Sequence, residues 1–190
     1  MQLRELQNRV SEQDQKIEGL DQELSEAKAL LNLAEEASGR TPGELQQTRA
    51  DIRQGAAALQ SVNFVIDYLK EDATSDQIYT AAQIIRTRPE PRFFVPVVDC
   101  IERLASDREL NGVRLHYVYQ LVQALHRLLV NEQDHSAKKQ IPLDDLRRAR
   151  DALKKLGSNV RVASDEEANP GRSVRRPINW CLKRLAKESL

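Results

Sequence analysis

Three histidines, two cysteines and a run of cations around one tryptophan are the side chains of this sequence with the most chemistry to offer. Imidazole and thiolate ligate zinc, four groups to a structural site. His116, His126 and His135 are spaced ten and nine residues apart, which places them on different faces of any helix that carries them. A metal site would need ligands from elsewhere in the fold, so satisfied or solvent-facing imidazoles are expected and no metal. Two cysteines cannot by themselves make a four-ligand zinc site or a disulfide framework. Cys100 stands beside Val97, Ile101 and Leu104 and reads as a buried, inert thiol. Cys181 stands near Lys183 and Arg184, whose charges would favour the thiolate. Neither a general base nor a resolving cysteine accompanies it. The sequence has no Gly-rich phosphate loop, no GxSxG, no HExxH, no CxxC and no EF-hand loop. A non-enzyme is therefore expected, with no catalytic residues, no cofactor and no small-molecule substrate.

The cations are the better lead. Arg172, Arg175, Arg176, Lys183, Arg184 and Lys187 cluster within sixteen residues around Trp180. Such side chains neutralise phosphates, and an indole stacks on bases. On a helix, Arg176, Lys183 and Lys187 share one side, with Ile178, Cys181, Leu182 and Leu185 largely on another. Three arrangements follow. The apolar side docks on a helical body with Trp180 at its edge and the cations solvated. Alternatively the cations meet an acidic protein surface, such as the acidic head of a neighbouring copy. In the third, they bind nucleic acid. Asp165, Glu166 and Glu167 dilute a phosphate-binding patch, which ranks nucleic acid third. The wet side of this helix has fewer apolar residues than membrane insertion requires.

These side chains must be positioned by helices. Hydrophobic residues make up 40% of the 190 and charged residues 31%, with seven Gly and seven Pro, a balance that reads as helix-rich. Thr74 with Gln77 is spaced as a capping box, and Ile78, Ala81, Ala82 and Ile85 follow on one face until Pro89. Phe94, Val97, Val98, Ile101, Leu104 and Ala105 form the next apolar face, and Asn111-Gly112 is a stop and turn. Leu115, Val118, Leu121, Val122, Leu125, Leu128 and Leu129 give the most apolar helix. A further helix begins at Pro142, carries Asp144 and Asp145 early and Lys154 and Lys155 late, and ends at Gly157. Residues 158–172 read as a flexible loop with a short strand at Val160–Val162. A last amphipathic helix starts near Pro177.

The leading segment has a different period. Steps of three and four pick out Leu3, Leu6, Val10, Gln13, Ile17, Leu20, Leu24, Ala27, Leu31 and Ala34, with Gln13 the single polar member. A 3.5-residue repeat keeps one apolar seam facing a partner helix, so a coiled coil is expected over 1–38. With Leu3 at position a, a parallel in-register dimer pairs Arg9 with Asp14, Lys16 with Asp21, and Glu23 with Lys28 across the seam, all attractive. Residues 38–44 break the helix, and Leu45, Ile52, Leu59, Val62, Ile66 and Leu69 continue a weaker stripe, so a helical hairpin within one chain is the competing arrangement. Residues 1–37 carry four basic against nine acidic side chains, net −5, whereas 137–190 carry fourteen against seven, net +7.

The sequence thus predicts an all-α protein with an N-terminal parallel coiled coil, a small helical bundle and a basic C-terminal helix. Its parts are the oligomerisation segment 1–38, a bundle over 42–157 entered by a long connecting helix at 42–70, the loop 158–172 and the helix 173–190. The expected function is a non-catalytic homodimeric adaptor or scaffold that presents its helical domains to a protein partner. The alternative is a dimeric nucleic-acid-binding regulator or packaging factor. Partners are a second copy and a protein, with nucleic acid as the other possibility and no membrane. No apolar run reaches the roughly 18–20 residues of a membrane span, no signal-peptide pattern opens the chain, and the cysteine usage suits a reducing, intracellular compartment. The heptads start at residue 3 with no N-cap before them, the pattern expected of the C-terminal part of a longer chain.

Overall fold

The structure, a computed structural model, describes residues 63–134, 140–169 and 171–187, with a few isolated positions before residue 63. The heptad seam from Leu3 to Ala34, its charge pairs and most of the 42–70 helix lie outside the described residues, as does His135. Within them there are seven α-helices and no strands: α1 Phe64–Asp67, α2 Ser75–Thr87, α3 Phe94–Ser106, α4 Leu115–Asp134, α5 Leu143–Gly157, α6 Val160–Ala168 and α7 Arg175–Ala186.

Local signals set most of the boundaries. Thr74 caps α2: its hydroxyl accepts the Gln77 amide at 3.2 Å while the Gln77 side-chain oxygen accepts the Thr74 amide at 2.7 Å. Two amides that the helix would leave unpaired are thereby satisfied. A 3₁₀ turn over Pro91–Phe93 feeds α3. Between α3 and α4, Leu110, Asn111 and Gly112 all take positive φ, and the Asp107 carboxylate holds the turn by accepting the Glu109 and Asn111 amides, each at 2.8 Å. Asn and Gly tolerate that left-handed backbone; Leu110 is held there by a fully buried side chain.

The core sits around α4. Val118, Leu121, Val122, Leu125, Leu128 and Leu129 recur at three- and four-residue steps and are all buried. α2 lies along one flank of α4 and α7 along another, while α3 pairs with α5 and α7 bridges α4 and α5. Two buried polar groups join these layers. Gln83 of α2 donates to Gln120 of α4 at 3.1 Å, and Arg86 reaches the same oxygen. Glu132, near the end of α4, accepts the Ile141 amide at 2.9 Å and the Gln140 amide, tethering the entry to α5. Buried polar groups left unpaired would be costly, so these bonds fix the relative placement of the helices as apolar contacts alone would not.

One segment departs from its expected form. The stretch 158–172, predicted as a loop with a strand at Val160–Val162, contains the helix α6. Asn159 caps it by accepting the Arg161 amide at 3.0 Å, and its own amide group donates to the Asp107 carbonyl at 2.8 Å. Val162 is the only buried residue of α6, and Val160 is 55% exposed. The far end is tied down by acids: Asp165 accepts the Val174 amide at 3.0 Å and Glu166 accepts the Ser173 hydroxyl. Capping and these tethers, rather than an apolar face, hold the helix.

Candidate contact site on the C-terminal helix

α7 is integral to the bundle. Pro177 occupies its first turn, where the missing N–H costs nothing, and Lys183 and Arg184 lie in its last turn at the negative end of the dipole. Pro177, Ile178, Cys181 and Leu185 are buried against α4 and α5. The Cys181 thiol lies 3.6 Å from the Val122 carbonyl. This corrects the thiolate expectation: Cys181 is fully buried, and burial raises its pKa despite the nearby cations in sequence. Cys100 is buried as expected, and burial pushes its thiol up to about 11.

Trp180 lies half-buried at the edge of this packed face. The guanidinium of Arg176, one turn earlier, sits over the indole at 5.1 Å from the ring centroid. The ring of His126, from α4, is 5.7 Å away, tilted by 51°. His126, Trp180, Lys183, Arg184 and Lys187 line a cleft of about 440 Å³ between the two helices. The pKa of His126 is lowered, first by burial and then by the positive charges of Arg184 and Arg127. The cleft therefore has an aromatic floor and a cationic rim.

The six clustered cations have different fates. Arg184 donates to Asp134 at 2.9 Å and to Gln133 at 3.3 Å, and the Gln133 side chain in turn donates to the Arg184 carbonyl at 3.1 Å. Arg175 donates to the Gly157 carbonyl at 3.1 Å, closing the C-terminal end of α5. Arg176 donates to the Gly171 carbonyl at 3.2 Å besides covering Trp180. Arg172 lies away from the cleft, in a smaller pocket with Leu115, His116, Tyr119 and Asp165. Lys183 and Lys187 are exposed and make no ion pair among the described residues. Trp180, Lys183, Arg184 and Lys187 are thus brought together, and Arg172 and Arg175 are directed elsewhere.

His126 belongs to the site although nothing in its sequence neighbourhood marks it; only the packing of α4 on α7 brings it to Trp180. His116 is a separate element of the structure, stacked near Tyr79 and Tyr117 with ring centroids 6.1 Å from each. No group of three or more metal-ligating side chains occurs among the described residues. Nor, among them, is any helix long and apolar enough to cross a membrane. A second, larger groove of about 740 Å³ runs past Ile66, Leu69 and Pro96, but its rim mixes Lys70 and Arg103 with Glu71, Asp72 and Asp99. No protein-family model, curated protein or solved structure matches this chain.

Proposed function

We propose that this protein is a non-catalytic homodimeric adaptor, joined through a parallel coiled coil at residues 1–38 and presenting its helical bundle to a protein partner. The observation that carries this reading is the five-heptad seam with three complementary charge pairs, Arg9–Asp14, Lys16–Asp21 and Glu23–Lys28. A leucine-rich edge of that length costs free energy while it faces water, at roughly 1.5–3 kcal/mol per large side chain that a second helix could cover. The bundle supports the reading from the other end: most large apolar side chains of its described residues are buried in one core, and the aromatic cleft between α4 and α7 is rimmed by cations. Both cysteines are buried free thiols, in keeping with a reducing, intracellular compartment.

Light scattering coupled to size exclusion tests the assembly. The full chain should elute with twice its mass at micromolar concentration, and Leu20→Asp should shift it to monomer. A monomeric parent, or a variant that remains dimeric, would remove the basis for the adaptor. The exposure of Arg172, Arg175, Arg176, Lys183 and Lys187 gives the nucleic-acid reading its support. Retention on DNA at low salt that weakens steeply with added salt would favour it.

A further inference from the structure

We infer that the cleft between α4 and α7 is a docking site for a short acidic segment of another protein that carries one or two apolar anchors. This deepens the adaptor reading by assigning the partner's chemistry, and it rests on that reading only for the number of sites per assembly.

Three features of the cleft carry the inference. The first is its size: about 440 Å³ holds two or three side chains, which suits a short peptide anchor rather than a folded surface. The second is charge. Lys183 and Lys187 stand at the rim without ion pairs among the described residues, and the lowered pKa of His126 keeps a neutral ring in the floor. A segment with carboxylates flanking a Leu or Phe complements an apolar floor inside a cationic rim, the arrangement used when an amphipathic helix lies in a groove.

The third feature separates protein from nucleic acid. Base stacking needs an open indole face, and Arg176 covers one face of Trp180 while His126 crowds the ring from α4. Arg184, the remaining rim cation, is neutralised by Asp134. Among the described residues Lys183 and Lys187 are the rim cations without an ion pair, Arg176 keeps its charge beside the indole, and Arg172 and Arg175 are directed elsewhere, which leaves a local patch rather than the track of phosphate contacts that gives nucleic-acid binding its strength. The half-buried indole therefore offers its edge and the adjoining apolar floor to an anchor, with the lysines steering carboxylates into place.

Trp180 is the only tryptophan of the chain and reports directly on occupancy. Its selectively excited emission would be followed while the full chain is titrated with a synthetic peptide of about twelve residues, Glu-rich, with Leu at i and i+4 and no aromatic residue. A peptide with every Glu replaced by Gln and an oligothymidylate serve as the other arms. The acidic peptide should shift the emission saturably. The doubly substituted Lys183→Glu, Lys187→Glu protein should bind it at least about tenfold more weakly, and the Gln peptide should lose affinity comparably. Both lysines are exposed at the C-terminal end of α7, where acidic side chains oppose the helix dipole, so a single cooperative melt lowered by no more than a few degrees is expected for that variant and confirms its fold. Thymidylate binding as tightly as the peptide at equal salt, or no response to either, overturns the assignment; so does peptide binding indifferent to the lysine reversals. Monomeric protein that still binds the peptide would remove the dimer and keep the site, and a dimer that ignores the peptide would do the reverse.

Discussion

Replacing Leu185 by alanine tests whether α7 belongs to the bundle, on which the cleft depends. Leu185 has no solvent exposure and lies on the face that α7 buries against α4 and α5. The substitution deletes three carbons, worth roughly 0.8 kcal/mol each in transfer. A residual cavity adds to this, because the surrounding helices relax only in part, giving a loss of about 3–4 kcal/mol. Alanine is the best helix former, so intrinsic propensity opposes the loss by only a few tenths. For a bundle of this size each kcal/mol lowers the melting temperature by roughly 3–5 °C, which predicts a drop of about 9–20 °C. Two probes at separate places would follow the melt: Trp180 emission for α7, and near-ultraviolet ellipticity of the Tyr79–Tyr117 pair, whose rings lie 4.6 Å apart between α2 and α4. The two transitions should coincide and move together, while Lys183→Ala, on the exposed side, should change stability by less than about 0.5 kcal/mol. A Leu185→Ala loss as small as that of the lysine control, or Trp180 melting well ahead of the tyrosines, would make α7 a loosely attached arm and refute the cleft.

Thr74→Ala removes the acceptor of the Gln77 amide and the reciprocal geometry with it, and should cost about 1 kcal/mol in urea denaturation. Neither thiol should react with a thiol reagent in the native protein near about pH 8, and both should react after unfolding. Because burial raises both thiol pKa values, the folded chain keeps protons that the unfolded chain releases first. Stability is therefore intact below the ordinary thiol pKa and falls as pH rises from about 9 toward 11. Tyr117, raised to about 12 by burial and by Asp76, extends the decline. A urea midpoint that rises over this range would contradict the burial of these groups.

The fold was legible where a local signal and a period agreed. Thr74 and Gln77 marked the start of α2, Asn111-Gly112 marked the turn before α4, and the Leu and Val spacing of α4 marked the helix at the centre of the core. It was illegible where helix formation depended on partners distant in sequence. α6 buries one side chain, so its sequence shows no apolar face, and two β-branched valines read as a strand. Its stability comes from Asn159 reaching Asp107, and from Asp165 and Glu166 reaching the next segment. Of these only the Asn159 cap could have been noticed beforehand. The same limit governed the site. The sequence grouped six cations by proximity, but whether each faced a carbonyl, a carboxylate or water depended on α4, α5 and the turn at Gly171.

That sorting decides what the basic helix can do. A run of six cations suggests a long polyanion; among the described residues Arg184 is paired with Asp134 and Arg172 and Arg175 are directed away, so the cleft keeps the charges of Lys183 and Lys187 beside that of Arg176, whose bond to the Gly171 carbonyl leaves it charged. Exposed ion pairs contribute roughly 0.2–1 kcal/mol each, so the lysines steer a ligand more than they hold it, and the aromatic floor must supply the rest. A site of that size binds weakly on its own. Weak single sites are where duplication matters most: in the proposed dimer, two copies on one coiled coil would make the second encounter intramolecular, and avidity can exceed single-site affinity by about 10²–10⁴ where the partner offers two segments at the right spacing. On that proposal the small cleft and the long seam have complementary roles, and Leu20→Asp should weaken capture of a bivalent acidic peptide far more than that of a monovalent one.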